Sequence, residues 1–395
     1  VCALYGPDLT QTLPNTLQHY GYRTIHAGKW NIAPTADCNF GNYTQCVDFI
    51  KQAGFTAATG VYGGVINRIV YNNPDLHFSH NMEWVTASAM EEMQTAIDAS
   101  QPFFLHFAPT IPNGGDVYES ALFDYSVRDT PSGTLHHDPV SHMPTRDSVW
   151  ARATDYDAST AGHGWTSGII WLDDSLGAIY NFLDSKGVLD DTMIVFAMDH
   201  GVSGKHVLSE DGLRTYQVVR YPGLMSHHSA GEMVSGHTLN MDIGATILDY
   251  IGVNPPYKMD GQSWLPLVTK SATHLADYRM MEAYRDRSIL SKDNYRYISK
   301  SWISSAKQRT KIGSQYPHYQ AAEQLYDLSK DPTMQTNLAG DPHYSHILNN
   351  MRYWQCDADG KLDPDYDDYI SPSRCPVIRE FQGDVAINPG DSTTG

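Results

Sequence analysis

Apolar residues along this chain fall into two patterns. Short runs end abruptly on polar residues, and longer stretches repeat an apolar position every three or four residues. One short run is Arg23-Thr24-Ile25-His26-Ala27, leading into Gly28-Lys29-Trp30-Asn31. The second is Phe103-Phe104-Leu105-His106-Phe107, leading into Ala108-Pro109-Thr110-Ile111-Pro112-Asn113. The third is Met193-Ile194-Val195-Phe196-Ala197-Met198, leading into Asp199-His200-Gly201. Runs of this kind, bounded by Gly and Pro, predict strands covered on both faces. The helical period is clearest from Ile169 to Lys186, where Ile169, Leu172, Leu176, Ile179 and Leu183 share a face and Gly187 follows. Thr12 to Tyr20, ahead of Gly21, and Asp242 to Ile251, ahead of Gly252, read the same way. Strands alternating with helices predict an α/β fold, a three-layer αβα sandwich around a largely parallel sheet. Such sheets bind ligands beyond the carboxyl ends of their strands. That rule gathers Lys29, Thr110, Asp199 and His200 at one crevice. Past residue 270 the texture changes, and Tyr295-Arg296-Tyr297-Ile298 and Gln324-Leu325-Tyr326-Asp327-Leu328 read as short strands. The predicted organisation is a core over 1–270, a small α+β C-terminal subdomain over 271–345 and a loop-rich tail over 346–395.

Composition narrows the class of function. Lys and Arg number 27 against 45 Asp and Glu in 395 residues, a formal net charge of −18. Nucleic acid and anionic membranes want a basic footprint, so neither is an expected partner. No apolar run reaches the roughly 18 residues of a membrane span. Of the five cysteines, Cys38 lies near Cys46 and Cys356 near Cys375, all in loop-like sequence. Two local disulfides are expected, with other pairings left open by spacing alone. The sequon Asn42-Tyr43-Thr44 sits inside the first proposed loop, which makes Asn42 a candidate glycosylation site. These features together point to the extracellular space or the secretory pathway.

Longer motifs then take shape. Leu13-Pro14-Asn15-Thr16-Leu17, Gly21-Tyr22-Arg23-Thr24 and Gly28-Lys29-Trp30 together resemble the second signature of the sulfatases, members of the alkaline-phosphatase-like superfamily. Phe103–Pro112 resembles the strand and loop that supply a catalytic His in that family. Leu172-Asp173-Asp174 through Met198-Asp199-His200-Gly201 resembles its long helix, strand and metal-binding turn. Tyr216 through Arg220-Tyr221-Pro222-Gly223, Met241–Asp249, Asp260-Gly261-Gln262-Ser263 and Glu323–Leu328 with Asn337-Leu338-Ala339 resemble later family elements, in family order. The likeness covers most of residues 12–340.

The resemblance implies hydrolysis of sulfate esters by a formylglycine made from Cys in a Cys-x-Pro-Ser-Arg motif, with Ca²⁺ neutralising the sulfate oxygens. A hard cation among oxygen ligands stabilises charge shared by nucleophile and leaving group. It places Asp199 and His200 on the metal turn, and Lys29 on the lysine that touches sulfate and nucleophile. His206 falls in the region of a further family His, and Arg214 is a nearby cation. The departures are extensive. The Asp pair and nucleophile motif that normally precede Gly-Lys-Trp are absent from the residues ahead of Lys29. Formylglycine is not encoded in this chain: Cys2-Ala3-Leu4-Tyr5-Gly6 lacks the Pro and Arg of the motif, and Ser371-Pro372-Ser373-Arg374 follows Ile370. Asn31 and Thr110 stand where the family has His, and Gly212 where it has the sulfate-binding Lys. An amide or hydroxyl cannot exchange a proton near neutral pH as imidazole can.

Three readings follow from that balance. The first is a secreted sulfatase-like protein with impaired catalysis, used for binding or architecture. The second is a calcium-dependent sulfuric ester hydrolase completed by a separate N-terminal segment. The third is phosphoester or phosphonate hydrolysis on the same scaffold, for which His227, His228 and His237 would be metal ligands; exposed loop histidines are the simpler account. Asp357-Ala358-Asp359-Gly360 with Asp363, Asp365, Asp367 and Asp368 is a Ca²⁺-loop candidate whose spacing breaks the EF-hand pattern, and a solvated acidic tail is the simpler account. A sulfated or other glycan is the expected ligand. A sheet lacking the family's first strand would expose an edge, so another chain or a second copy is expected over the region before Leu13.

Overall fold

Thr12 starts the described chain's first helix, α1 (Leu13–His19), because its hydroxyl accepts from the Asn15 N–H at 3.2 Å and Pro14 is pre-set for a first turn. The computed structural model describes residues 11–30, 43–63, 67–70, 73–113, 118–124, 126–156, 163–201, 207–225, 231–283, 286–299 and 316–359. The chain divides into two compact units, Val1–Thr192 with Pro255–Lys258, and Met193–Asn254 with Met259–Gly395. The first boundary falls inside the stretch expected to be a single core, just before the third predicted strand.

In the first unit, α1 leads through β1 (Arg23–Lys29), α2 (Tyr43–Gln52) and β2 (Ala57–Tyr62) to a hairpin of β3 (Asn67–Val70) and β4 (Asn73–Ser79). Helix α3 (Met82–Asp98), β5 (Phe103–Ala108) and α4 (Tyr118–Phe123) follow. The unit continues with a short ribbon of β6 (Asp129–Thr130) and β7 (Gly133–Thr134), then α5 (Arg146–Tyr156) and α6 (His163–Ser185). Among the described residues, β2, β1 and β5 form a parallel sheet in that order. Alternation along the strands gives each face its own helix. Cys46 and Ile50 of α2 pack with Trp30, Phe55 and Val61, whereas Trp84, Val85 and Ala89 of α3 pack with Ala27 and Tyr62. Helices on both faces of a parallel sheet are the layering that the strand–helix alternation predicts. The 23-residue α6 contains the periodic stretch and begins at His163, earlier than its apolar period suggests. Arg146 meets Glu83 through paired contacts of 3.0 and 2.9 Å, both residues buried, and ties α5 to α3.

The second unit opens with β8 (Ile194–Ala197), then α7 (Glu210–Leu213), β9 (Gln217–Arg220), α8 (Pro222–Met225), α9 (Asp242–Tyr250) and α10 (Leu265–Val268). Strand β8 pairs antiparallel with β9, so among the described residues the third apolar run belongs to a separate two-stranded ribbon. The strands β10 (Tyr278–Ala283), β11 (Asp286–Ser291), β12 (Tyr295–Ser299) and β13 (Glu323–Asp327) form an antiparallel sheet in sequence order. Both strands expected past residue 270 are in it, paired with Tyr295 opposite Asp327. The expected loop-rich tail instead begins as a 15-residue helix, α11 (Ser345–Asp359), whose Leu348 and Met351 pack on Ile289, Tyr297 and Leu325.

Two cysteine expectations separate. Cys46 is a thiol, buried at 3 % exposure in the α2 packing, so the expected bridge to Cys38 is not made. Its neighbours are apolar, and the position is a packing one. Cys356 is disulfide-bonded; its expected partner Cys375 lies outside the described residues, as do Cys38 and the sequon Asn42.

Candidate active-site residues and family

At the carboxyl end of the parallel sheet, Gly28 explains the shape of the Gly-Lys-Trp stretch. It has φ +113°, and a Cβ there would lie 2.4 Å from the Ala108 carbonyl oxygen. Only glycine permits both the backbone angle and that approach. The β1–β2 register shifts between Ala27 and Lys29, which brings Lys29 opposite Tyr62. Trp30 N–H then donates to the Tyr62 carbonyl at 2.9 Å. Thr110, just past β5, donates its N–H (2.7 Å) and its hydroxyl (3.0 Å) to the Tyr62 phenolic oxygen. Lys29 and Thr110 are therefore brought together around one buried tyrosine, whose pKa burial pushes up to about 12. Tyr62 escaped the sequence reading because β2, Ala-Ala-Thr-Gly-Val-Tyr, is small and weakly apolar.

One step back from that end, His26 and His106 face each other in register, with Nδ1 atoms 3.1 Å apart. Trp30 and Phe55 meet the His26 ring edge-on, at centroid distances of 5.0 and 5.6 Å. Burial, and then the neighbouring His106, hold the His26 pKa well below the ordinary imidazole value. The contact between the two rings across a strand pair explains why these polar residues interrupt apolar runs.

In the second unit, the turn after β8 carries Asp199 and His200. The His200 N–H donates to Asp199 Oδ1 at 3.0 Å, and His200 Nδ1 lies 2.8 Å from the Gly201 carbonyl. A carbonyl only accepts, so the hydrogen sits on Nδ1. That leaves Nε2 to face Asp199 Oδ2 at 3.4 Å. The Asp199 side chain is 79 % exposed. The turn itself is fastened through its backbone. Gly201 N–H donates to the Gly212 carbonyl at 3.0 Å, and a Cβ on Gly201 would lie 2.0 Å from the Asp211 oxygen. Asn240 donates to the Met198 carbonyl at 2.8 Å. Asp199, His200 and Gly212 thus share one neighbourhood, and exposed Arg214 follows α7. Asn31 and His206 lie outside the described residues.

Calcium takes six to eight oxygen ligands. Asp199 and His200 offer one carboxylate and one imidazole, and no three His, Cys, Asp or Glu gather to hold an ion among the described residues. These two residues would supply only part of such a set. Asp357 is part of helix α11 and accepts from the Tyr278 hydroxyl at 2.5 Å, an arrangement that fixes the helix to β10. Residues Asp363 to Asp368 lie outside the described residues. His237 contacts the Asn294 side chain at 2.9 Å, whereas His227 and His228 are not described.

The sulfatase profile matches residues 5–253, more than half of the chain, and the profile for the C-terminal region of N-sulphoglucosamine sulphohydrolase matches residues 198–356. The chain belongs to the sulfatase family. Among curated relatives, an ulvan-active sulfatase from Formosa agariphila is 28 % identical over 183 residues, covering 41 % of this chain and 36 % of that protein. A multifunctional alkaline phosphatase superfamily protein from Trinickia caryophylli is 31 % identical over 191 residues, covering 45 % and 36 %. The matched stretches thus span only 36 % of the length of these sulfatase-superfamily relatives. One solved structure, a complex with its substrate D-glucosamine-2-N,6-O-disulfate, shares 16 % identity, covers 92 % of this chain and 83 % of that one, and gives a TM-score of 0.58. At that identity the likeness establishes the α/β fold shared with sulfatases. No described helix is long and apolar enough to cross a membrane.

Proposed function

We propose that this sulfatase-family chain binds a sulfated saccharide without hydrolysing it at an appreciable rate. The observation that carries this reading is Thr110. It stands where the family resemblance expects an imidazole, and both its N–H and its hydroxyl are committed to the buried Tyr62 oxygen. A threonine held in that way neither takes nor gives a proton near neutral pH, and losing a general acid or base typically costs about 10²–10⁴-fold in rate. The ligand class rests on the family and on relatives that act on sulfated glycans. Secretion fits the disulfide at Cys356 and an extracellular sulfatase from Drosophila melanogaster that is 26 % identical over 291 residues. A covering strand from another chain or copy fits β5, which is the outer strand of its sheet among the described residues and whose Phe103, Phe104, Leu105 and Phe107 are only half-buried.

The test is sulfate release from an aryl sulfate and from sulfated oligosaccharides, with and without Ca²⁺, alongside direct binding. Binding with no release above the uncatalysed rate is expected. Turnover that Asp199→Ala abolishes would replace this reading with the second, a calcium-dependent ester hydrolase, which the exposed Asp199–His200 pair favours. Turnover of a phosphate ester alone would select the third, which the Trinickia relative favours by name.

A further inference from the structure

The antiparallel sheet of the second unit carries two buried arginines on one face. Arg279 of β10 and Arg296 of β12 both stand opposite Leu290 of β11, so they share that face with one strand between them. Arg279 is 6 % and Arg296 3 % exposed, and each spends its fork on a different segment. Arg279 Nη2 donates to both Asp242 oxygens at 2.5 Å, and its Nη1 donates to Gln262 Oε1 at 2.8 Å. Asp242 accepts from the N–H of Leu239, the neighbour of Asn240. The Asn240 amide then donates to the Met198 carbonyl at 2.8 Å and the Asp199 carbonyl at 3.3 Å. Arg296 Nε donates to Glu210 Oε1 at 2.8 Å, and its Nη1 to Ser288 Oγ at 3.1 Å. Glu210 opens α7, where the Asp211 N–H donates to the Tyr316 hydroxyl oxygen at 3.2 Å. The Gly212 carbonyl of the same short helix accepts from Gly201 at 3.0 Å.

Two relays of contacts therefore run from one sheet to opposite ends of one turn. The first reaches the carbonyls of Met198 and Asp199, and the second reaches the N–H of Gly201. Between these points stand the side chains of Asp199 and His200, which belong to neither relay. Strands in a sheet lie about 4.8 Å apart, so arginines on either side of a third strand start from fixed positions. A guanidinium fork also pairs with a carboxylate in a set orientation, whereas an ammonium is a point charge that can swivel. Buried ion pairs add little net stability, because desolvation offsets the Coulombic gain. Two of them that converge on the same turn are better explained by orientation. We propose that Arg279 and Arg296 are positioning residues, which set the backbone course of the Asp199–His200 turn from the antiparallel sheet. The inference concerns the geometry of the turn and is independent of what the turn binds or whether an ester is hydrolysed.

The experiment compares amide resonances and hydrogen exchange in the full chain, with no ligand added. Asn240→Ala cuts the first relay at an exposed residue and defines the shifts that its loss causes at Asp199, His200 and Gly201. Arg279→Lys, which keeps the charge and loses the fork, is expected to reproduce those shifts. In the Asn240→Ala background it should add nothing further, since one relay cannot be cut twice. Glu210→Gln is expected to speed exchange of the Gly201 amide by about tenfold, through loss of the charged partner of Arg296. The Leu338 amide, bonded to the Leu325 carbonyl in the same unit, should keep its protection in every variant. Lys292→Ala, which breaks an exposed contact to Asp277, is the control and should move neither readout. Where Arg279→Lys fails to fold, Gln262→Met removes one of its acceptors at an exposed position and carries the same comparison. The proposal is overturned if Arg279→Lys leaves the three resonances in place or if its shifts add to those of Asn240→Ala. Loss of protection at Gly201 and Leu338 together would overturn it as well, by showing general loosening. Unchanged Gly201 exchange in Glu210→Gln would overturn it for Arg296. Because no saccharide is present, the ligand reading stands or falls separately.

Discussion

The two places where family chemistry would be expected are built in opposite ways. At the end of the parallel sheet, Thr110 and Tyr62 are buried and spend their polar atoms on one another. At the turn after β8, Asp199 is open to water and the fastening is done by peptide groups of Gly201 and Gly212. In the first region the side chains have become scaffold. In the second the turn is held by its backbone, by Gly201 on Gly212 and by the Asn240 amide on the Met198 carbonyl, and the Asp199 side chain remains exposed. A residue in the family position therefore has a different meaning in each unit.

Substitutions can break this contrast, beginning with the largest effect. Asp242 is fully buried, binds both oxygens to Arg279, and accepts from the Leu239 and Gln262 N–H groups, anchoring the segment that carries Asn240 to the turn. Asp242→Ala strands a buried guanidinium and should cost about 3–5 kcal/mol by denaturant unfolding, far more than changes at the turn itself. A small effect would show that the turn is not held from beneath.

Acid comes next. Burial lowers the folded-state pKa of His80 from 6.5 to about 4, and that of His26 in the same direction. The unfolded chain then takes up protons that the folded chain resists. Stability present above pH 6.5 is therefore lost as pH falls from about 6.5 toward 4, steepest for the first unit. His80→Gln should flatten that dependence; an unchanged pH profile would mean that the buried imidazoles are not responsible.

Tyr62→Phe removes the acceptor shared by the two Thr110 donors and should destabilise by about 1–3 kcal/mol. Pairing it with Thr110→Val should recover part of the loss, since both ends are then apolar. Asp199→Ala is expected to change stability by no more than about 0.5 kcal/mol, as for an exposed side chain away from any buried network. If Asp199 instead proves costly to remove, the two regions are not built differently after all.

Much of this framework was legible from periodicity. Ile169 to Leu183 announced α6, and the strands β1 and β5, ending at Lys29 and Ala108, were marked by Gly28 and Pro109. Family motifs located the turn at Asp199. Other features were hidden for physical reasons. Strand β2 is too small and mixed to register as apolar, so Tyr62, which links Lys29 to Thr110, went unseen. The β8 run reads as a doubly covered strand because period-2 exposure shows on its partner, at Tyr216 and Val218, rather than on itself. Helix α11 is polar on most positions and signals loop by composition, although Leu348 and Met351 suffice to dock it. Cys46 near Cys38 suggested a bridge, because spacing records proximity in sequence and not which face of a helix the thiol occupies.

The close approach of Gly201 to α7 has a consequence for how such a protein can change over time. The loop bearing Asp199 and His200 keeps its course through the Gly201–Gly212 main-chain bond and the Asn240 amide on the Met198 and Asp199 carbonyls, none of which uses the side chains of residues 199 and 200, so those two positions can drift without collapsing the surrounding architecture. A lineage can shed its chemistry at this loop and keep its shape.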